Sequence, residues 1–187
     1  FIYTDFKSSN EMAVYLSQGG LGLPDRDYYT KEDAKSVEIR EKYEMHVARM
    51  LQLLGDDEEL AKSEASRIMA LETRMAEASM TNVERRNAPA LYNKYSLTDL
   101  SALVPSIEWD KFLADLGVTG MDTIIVRQPK FMEEFQKIMD DTSIDDMKEY
   151  LRWRAVDGMA SYLSNEFVQA NFDFFSINYF LLLFSSL

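Results

Sequence analysis

The chain has one histidine and no cysteine in 187 residues, and that pair of facts limits its chemistry more than any motif does. A zinc site built on His-Glu-x-x-His needs two imidazoles from one helix turn and a third ligand from elsewhere. His46 stands in the context MHVAR with no glutamate after it, so a site of that type cannot be assembled from these residues. With no thiol, disulfides, thiolate catalysis and cysteine-zinc sites are excluded together. The isolation of His46 favours a packing or surface histidine over a metal ligand or general base.

Other candidates reduce to structural readings. Gly19, Gly20 and Gly22 are not followed by Lys-Ser/Thr, and Asp25 and Asp27 would repel phosphate, so turn geometry explains them. Asp25, Arg26 and Asp27 read as an ion pair pinning the loop. Asp140, Asp141, Asp145 and Asp146 lack EF-hand spacing, and acids ahead of a helix suit its dipole. Arg85 and Arg86 could hold a substrate carboxylate bidentately, although an anchor to a helix end or a nearby glutamate is the plainer role. No positioned acid pair supports a carboxylate-based hydrolase.

The elements that would position these residues are mostly helical. Residues 12–18 read as a short extended segment, followed by a shaped loop, because Pro24 keeps Leu23 out of helical geometry. A helix is predicted over 31–54, with Thr30 as N-cap, Asp33 in the first turn and Gly55 as the stop. Its stripe is Val37, Tyr43, Val47, Met50, Leu51 and Leu54. A second helix over 57–80 carries Leu60, Ala65, Ile68, Leu71, Met75 and Ala78, and the short link makes the two an antiparallel hairpin. Residues 81–96 break the pattern through Asn87, Pro89 and Asn93. Short helices follow at 98–103 and, capped by Ser106, at 107–116. Residues 123–127 (TIIVR) read as a strand, and Pro129 opens a helix to about 140. The last helix is predicted as the longest, 144–173, capped by Ser143. It carries one stripe through Trp153, Val156, Ala160, Leu163, Phe167, Ala170 and Phe174, and a second through Met147, Leu151, Ala155, Met159 and Tyr162. Apolar on two faces, it should be central and buried, with a neighbour packed closely on Gly158.

Composition sets outer limits. A net charge of −12 argues against nucleic acid and against an anionic membrane surface. No run of about 18 apolar residues exists to span a bilayer. The chain opens at Phe1 within sequence that reads as folded, as expected of an excised piece of a larger protein.

Residues 18–29, QGGLGLPDRDYY, are similar to a loop of the neprilysin-like zinc endopeptidases, family M13. The later features agree in order. ALETRMAEA at 70–78, RNAP at 86–89 and YNKYSL at 92–97 resemble that family's glutamate helix and the stretch after it. Leu151, Trp153-Arg154 and residues 161–164 resemble the helix that follows. The resemblance implies a mainly α fold, with two or three short strands at most. Residues 1–173 would form the non-catalytic N-terminal helical lobe, which walls the cavity and limits access to peptides. It implies zinc in the parent enzyme and none bound by this chain: the family's zinc ligands and transition-state histidine would lie after residue 187. No catalytic, cofactor or metal residue carries over, and Arg85 and Arg86 are the only candidate substrate contacts. Residues 174–187, FFSINYFLLLFSSL, form an apolar tail that departs from the family pattern. The resemblance places the parent outside the cytoplasm and makes peptides and a C-terminal catalytic lobe the partners. The isolated chain is expected to be inactive and to self-associate, as a dimer, through apolar surface left uncovered. The other reading is a stand-alone helical interaction module, which would show a larger, flatter apolar patch.

Overall fold

The computed structural model describes residues 1–121 and 123–179; side chains are described only as far as residue 176 in the last helical turn. The expected tail, 174–187, lies outside the described residues from 180 onward. The chain divides into two units, one from Phe1–Gly20 with Ala78–Asp141, the other from Leu21–Glu77 with the residues from Thr142 onward.

The first unit is organised by a sheet of order β1-β2-β4-β3, from β1 (Ile2–Asp5), β2 (Ser8–Leu16), β3 (Lys94–Tyr95) and β4 (Ile124–Val126). β1 pairs antiparallel with β2 and β3 with β4, while β2 and β4 run parallel, Val14 opposite Ile124. The expected strands at 12–18 and 123–127 are both present. The sheet has four strands rather than at most three. β4 is buried along its whole length, as its run of three β-branched residues requires of a central strand. β1 sits at the edge, and its four residues, Ile2 and Tyr3 exposed, give no alternation to predict it by.

Helix α4 (Leu97–Leu103) starts with a reciprocal capping box between Ser96 and Asp99, which fixes its first turn. It buries Leu100 and ends at Val104, ahead of Pro105. Helix α5 (Trp109–Asp115) begins later than expected, and its N-cap is Glu108 rather than Ser106. Ser106 is engaged elsewhere: its N–H donates to Gln136 Oε1 at 3.1 Å, and its hydroxyl accepts from Gln136 Nε2 at 2.7 Å. Gln136 lies on α6 (Pro129–Asp141), the helix that Pro129 opens.

The second unit is helical. A single turn, α1 (Asp27–Thr30), precedes α2 (Ala34–Leu53). The cap of α2 is Asp33, whose carboxylate accepts from Ser36 N–H, and not Thr30, which is spent in α1. Its buried face includes Ile39, Tyr43, His46, Val47, Met50 and Leu51, while Leu54 is exposed. Helix α3 (Glu58–Ala78) buries Ala65, Ile68, Leu71 and Met75 as expected, leaves Leu60 exposed, and buries Glu64 and Glu72 as well.

The predicted long helix is broken. Helix α7 (Ile144–Met159) is capped by Ser143, as expected, and passes through a 3-10 turn (Ala160–Tyr162) into α8 (Asn165–Phe172) and a π-helical turn (Asp173–Tyr179). Leu163 and Ser164 are extended, with ψ of −168° and 164°. Ser164 donates to Glu166 at 2.6 Å, the local bonding by which serine competes with helix continuation. The two-stripe expectation fails with it. Trp153, Val156, Ala160, Phe167 and Phe174 are buried, but Leu151, Met159 and Tyr162 are exposed. No described atom lies within 4 Å of a Cβ placed on Gly158, so that glycine marks the weak last turn of α7 rather than a close approach.

Candidate functional site

The densest polar cluster gathers around a residue whose burial was not foreseen. Glu72 projects from α3 into the helical unit and is fully buried. Four donors converge on its carboxylate: Gly22 N–H at 3.0 Å, the Tyr29 hydroxyl at 2.5 Å, the Tyr43 hydroxyl at 2.9 Å and Trp153 Nε1–H at 3.3 Å. Each tyrosine also receives a hydrogen bond. Leu23 N–H donates to Tyr29 at 2.8 Å, and Trp153 Nε1–H donates to Tyr43 at 3.1 Å. Protons therefore point one way, from N–H to phenol to carboxylate. Burial pushes the Glu72 carboxyl above its ordinary range, against the pull of Tyr29, Gly22 and Tyr43, and burial beside Glu72 pushes both phenols up.

This arrangement holds the QGGLGLPDRDYY loop on the helices. A Cβ on Gly22 would overlap the Tyr43 hydroxyl and crowd its ring, so the close approach of loop to helix is what requires glycine there. Gly20 has a φ of 86°, a conformation glycine adopts without cost. Arg26 adds a second tie, donating from Nε to the Ala76 carbonyl at 2.9 Å. The Asp25–Arg26–Asp27 group thus pins the loop through a main-chain carbonyl; Asp27 pairs instead with Lys31 at 2.8 Å. In the sheet-bearing unit, the Gln18 amide brackets Met80, donating to its carbonyl at 3.0 Å and accepting from its N–H at 2.8 Å. Glu72 accepts every proton aimed at it, and its carboxylate ties the loop to α2 and to Trp153. Its sequence signal was position: it falls on the stripe between Ile68 and Met75, where a charge has no business unless it is paired.

His46 is buried on α2. Its ring stacks on Phe174 with centroids 4.8 Å apart, and meets Trp153 and Phe175 edge-on, each at 5.7 Å. Nε2 is buried and has no hydrogen-bond partner among the described residues. Burial pushes its pKa down to about 4, so the ring is neutral near pH 7. It borders an open cavity of about 610 Å³ that is also lined by Lys42, Arg49, Glu166 and Asp173.

The remaining candidates stay apart. Arg85 and Arg86 lie in an exposed 3-10 turn (Glu84–Arg86) in the sheet-bearing unit. Arg85 reaches Asn82 Oδ1 at 3.4 Å, while Glu84 accepts from the Thr81 N–H and hydroxyl at 2.7 and 2.8 Å. Asp146 meets Arg67 at 2.9 Å and Ser143, consistent with a capping and pairing role. Among the described residues no group of three His, Cys, Asp or Glu could hold a metal, and one imidazole enclosed by rings does not fit zinc. No described helix is long and apolar enough to cross a membrane.

Comparison with known proteins gives the relationship. The model for peptidase family M13 matches residues 1–180. Endothelin-converting enzyme 1 of Homo sapiens is 27% identical over 184 residues, covering 96% of this chain and 24% of that protein. Endothelin-converting enzyme-like 1 of Mus musculus is 28% identical over 171 residues, 89% of this chain and 22% of that protein. Among solved structures, the zinc metalloprotease Zmp1 of Mycobacterium tuberculosis in its open state superposes with a TM-score of 0.89 at 31% identity, covering 95% of this chain and 28% of that one. The chain therefore spans about a quarter of the length of the curated relatives it matches. Sequence, family match and superposition agree that this chain is a member of peptidase family M13 and corresponds to its N-terminal region.

Proposed function

We propose that this chain is the substrate-restricting, non-catalytic lobe of a zinc-dependent endopeptidase, with the zinc and its ligands on a separate C-terminal lobe. The superposition on a zinc metalloprotease at a TM-score of 0.89 carries the reading. The lone, ring-enclosed His46 supports it from the side of chemistry. In such an enzyme the metal polarises the peptide carbonyl and activates water; residues 1–173 would supply walls that decide which peptides reach it. Arg85 and Arg86, exposed on one turn, are the groups we assign to a substrate carboxylate. The family resemblance supports a location of the parent enzyme outside the cytoplasm. A fluorogenic peptide assay with added zinc tests the central claim. The purified chain should show no metal-dependent turnover, and turnover by pure material would overturn the reading.

Leu151, Met159 and Tyr162 leave an apolar face exposed on α7 and the turn after it, Tyr162 at 82%. In the isolated chain we assign that face to self-association as a homodimer. Light scattering should show a dimer at high concentration that weakens in Leu151→Lys, and a strict monomer would refute this. A stand-alone interaction module would bind a partner through the same face without any catalytic lobe.

A further inference from the structure

His46 is a buried titratable group that the proposed role does not use. Phe174 covers one face of the imidazole, nearly parallel at 9°, and Trp153 and Phe175 close two edges. Two of these rings belong to the π-helical turn Asp173–Tyr179, so the imidazole is a large part of what that turn packs on. Phe174 also meets the Tyr43 ring at 5.7 Å. A neutral ring suits this cage. An imidazolium would carry a charge and an extra N–H into it, and Nε2 already lacks a partner among the described residues.

The charged neighbours do not rescue the cation. From α2 itself, Lys42 and Arg49 line the cavity beside His46, and both are positive; Lys42 pairs with Glu38 at 2.8 Å. Glu166 of α8 accepts from Ser164 at 2.6 Å, and Asp173 of the π-helical turn accepts from Gln169 at 2.7 Å. On α7, Arg154 and Asp157 pair at 2.9 Å, while Tyr43 and Glu72 are bound to each other and to Trp153.

We propose that the His46 cage is an acid-released clasp: protonation expels the imidazole and frees the Asp173–Tyr179 turn from α2. The direction follows from linkage. The docked ring titrates near 4, against 6.5 when free. Docking is therefore at full strength above the free value and weakens as the pH falls from there toward 4. Between pH 7.5 and pH 5 the opening equilibrium of the turn should rise about 30-fold.

Two measurements test this on the full chain. With a single histidine present, its ring resonances are assigned without ambiguity, and they should titrate between the docked value of about 4 and the free value of 6.5, with line broadening as the turn opens. Hydrogen exchange of the 173–179 amides, corrected for intrinsic rates, should accelerate about 30-fold at pH 5 relative to α3 amides. His46→Phe keeps the stack and removes the proton, so its 173–179 amides should show no such acceleration. A wild-type ring titrating near 6.5, or equal acceleration in His46→Phe, overturns the clasp; if the variant does not fold, the wild-type ring titration alone decides.

Discussion

Gly22→Ala is the sharpest probe of how the loop is held. The added Cβ would overlap Tyr43 at its hydroxyl end. That end cannot swing away freely, because the hydroxyl donates to Glu72 at 2.9 Å, accepts from Trp153 at 3.1 Å, and the whole side chain is buried. Either Tyr43 rotates and gives up both bonds, or the loop lifts and Gly22 N–H leaves Glu72. Overpacking costs about 1–3 kcal/mol. A lost bond to a charged acceptor adds about 1.5–3 kcal/mol. The sum is about 2.5–6 kcal/mol, a drop of roughly 5–24 °C in melting temperature for a chain of this size. Gly19→Ala is the matched control, since nothing lies within 4 Å of its Cβ position. It should change stability by less than about 1 kcal/mol, with stabilisation allowed. Scanning calorimetry on both variants decides the matter. If Gly22→Ala melts within about 2 °C of Gly19→Ala, the tight seat of the loop against Tyr43 is not what the structure implies.

Other substitutions probe the remaining links. Tyr29→Phe removes the 2.5 Å donor to Glu72 and strands Leu23 N–H, so denaturant unfolding should show a loss of about 3 kcal/mol, while Tyr162→Phe on the exposed face should lie within about 0.5 kcal/mol. Ser96→Ala breaks the capping box of α4 and should cost about 1 kcal/mol by the same assay. Lys94, Tyr92 and the Lys7 N–H hold the Asp5 carboxyl well below the usual range. The stability it provides is present above its ordinary value of 3.8 and is lost as the pH falls through its lower folded value. Carbon-detected NMR should find Asp5 ionised at pH 3, and Asp5→Asn should flatten the acid limb of the stability curve below pH 4.

Helix periodicity exposed most of the architecture in advance. The stripes of α2 and α3, the cap Ser143, and Pro129 at the start of α6 are local signals, and local rules decide them. The failures came where a distant partner, or a competing local bond, overrode the simplest choice. Ser106 would cap α5 if Gln136, thirty positions away, did not bind it. The helix after Ser143 should have continued by propensity, yet Ser164 breaks it within a segment of regular apolar spacing. Asp33 outcompetes Thr30 as a cap because α1 consumes Thr30. Glu72 was visible as a glutamate on an apolar stripe, but its partners are Gly22, Tyr29, Tyr43 and Trp153, and nothing short-range joins them. The isolation of His46 predicts a packing or surface residue. The structure buries it, under an aromatic lid from a turn whose geometry no local pattern announces.

The one-way hydrogen bonds onto Glu72 also constrain how the protein comes into being. Trp153, which donates both to Tyr43 and to Glu72, follows Glu72 by 81 positions. At a synthesis rate of about 5–20 residues per second, the ribosome needs roughly 4 to 16 s to deliver it. Until then α2 and α3 carry a carboxylate whose ring of donors is incomplete, and an incompletely paired charge favours water over burial. A chain that ends before residue 153 therefore lacks the donor that serves both Tyr43 and Glu72.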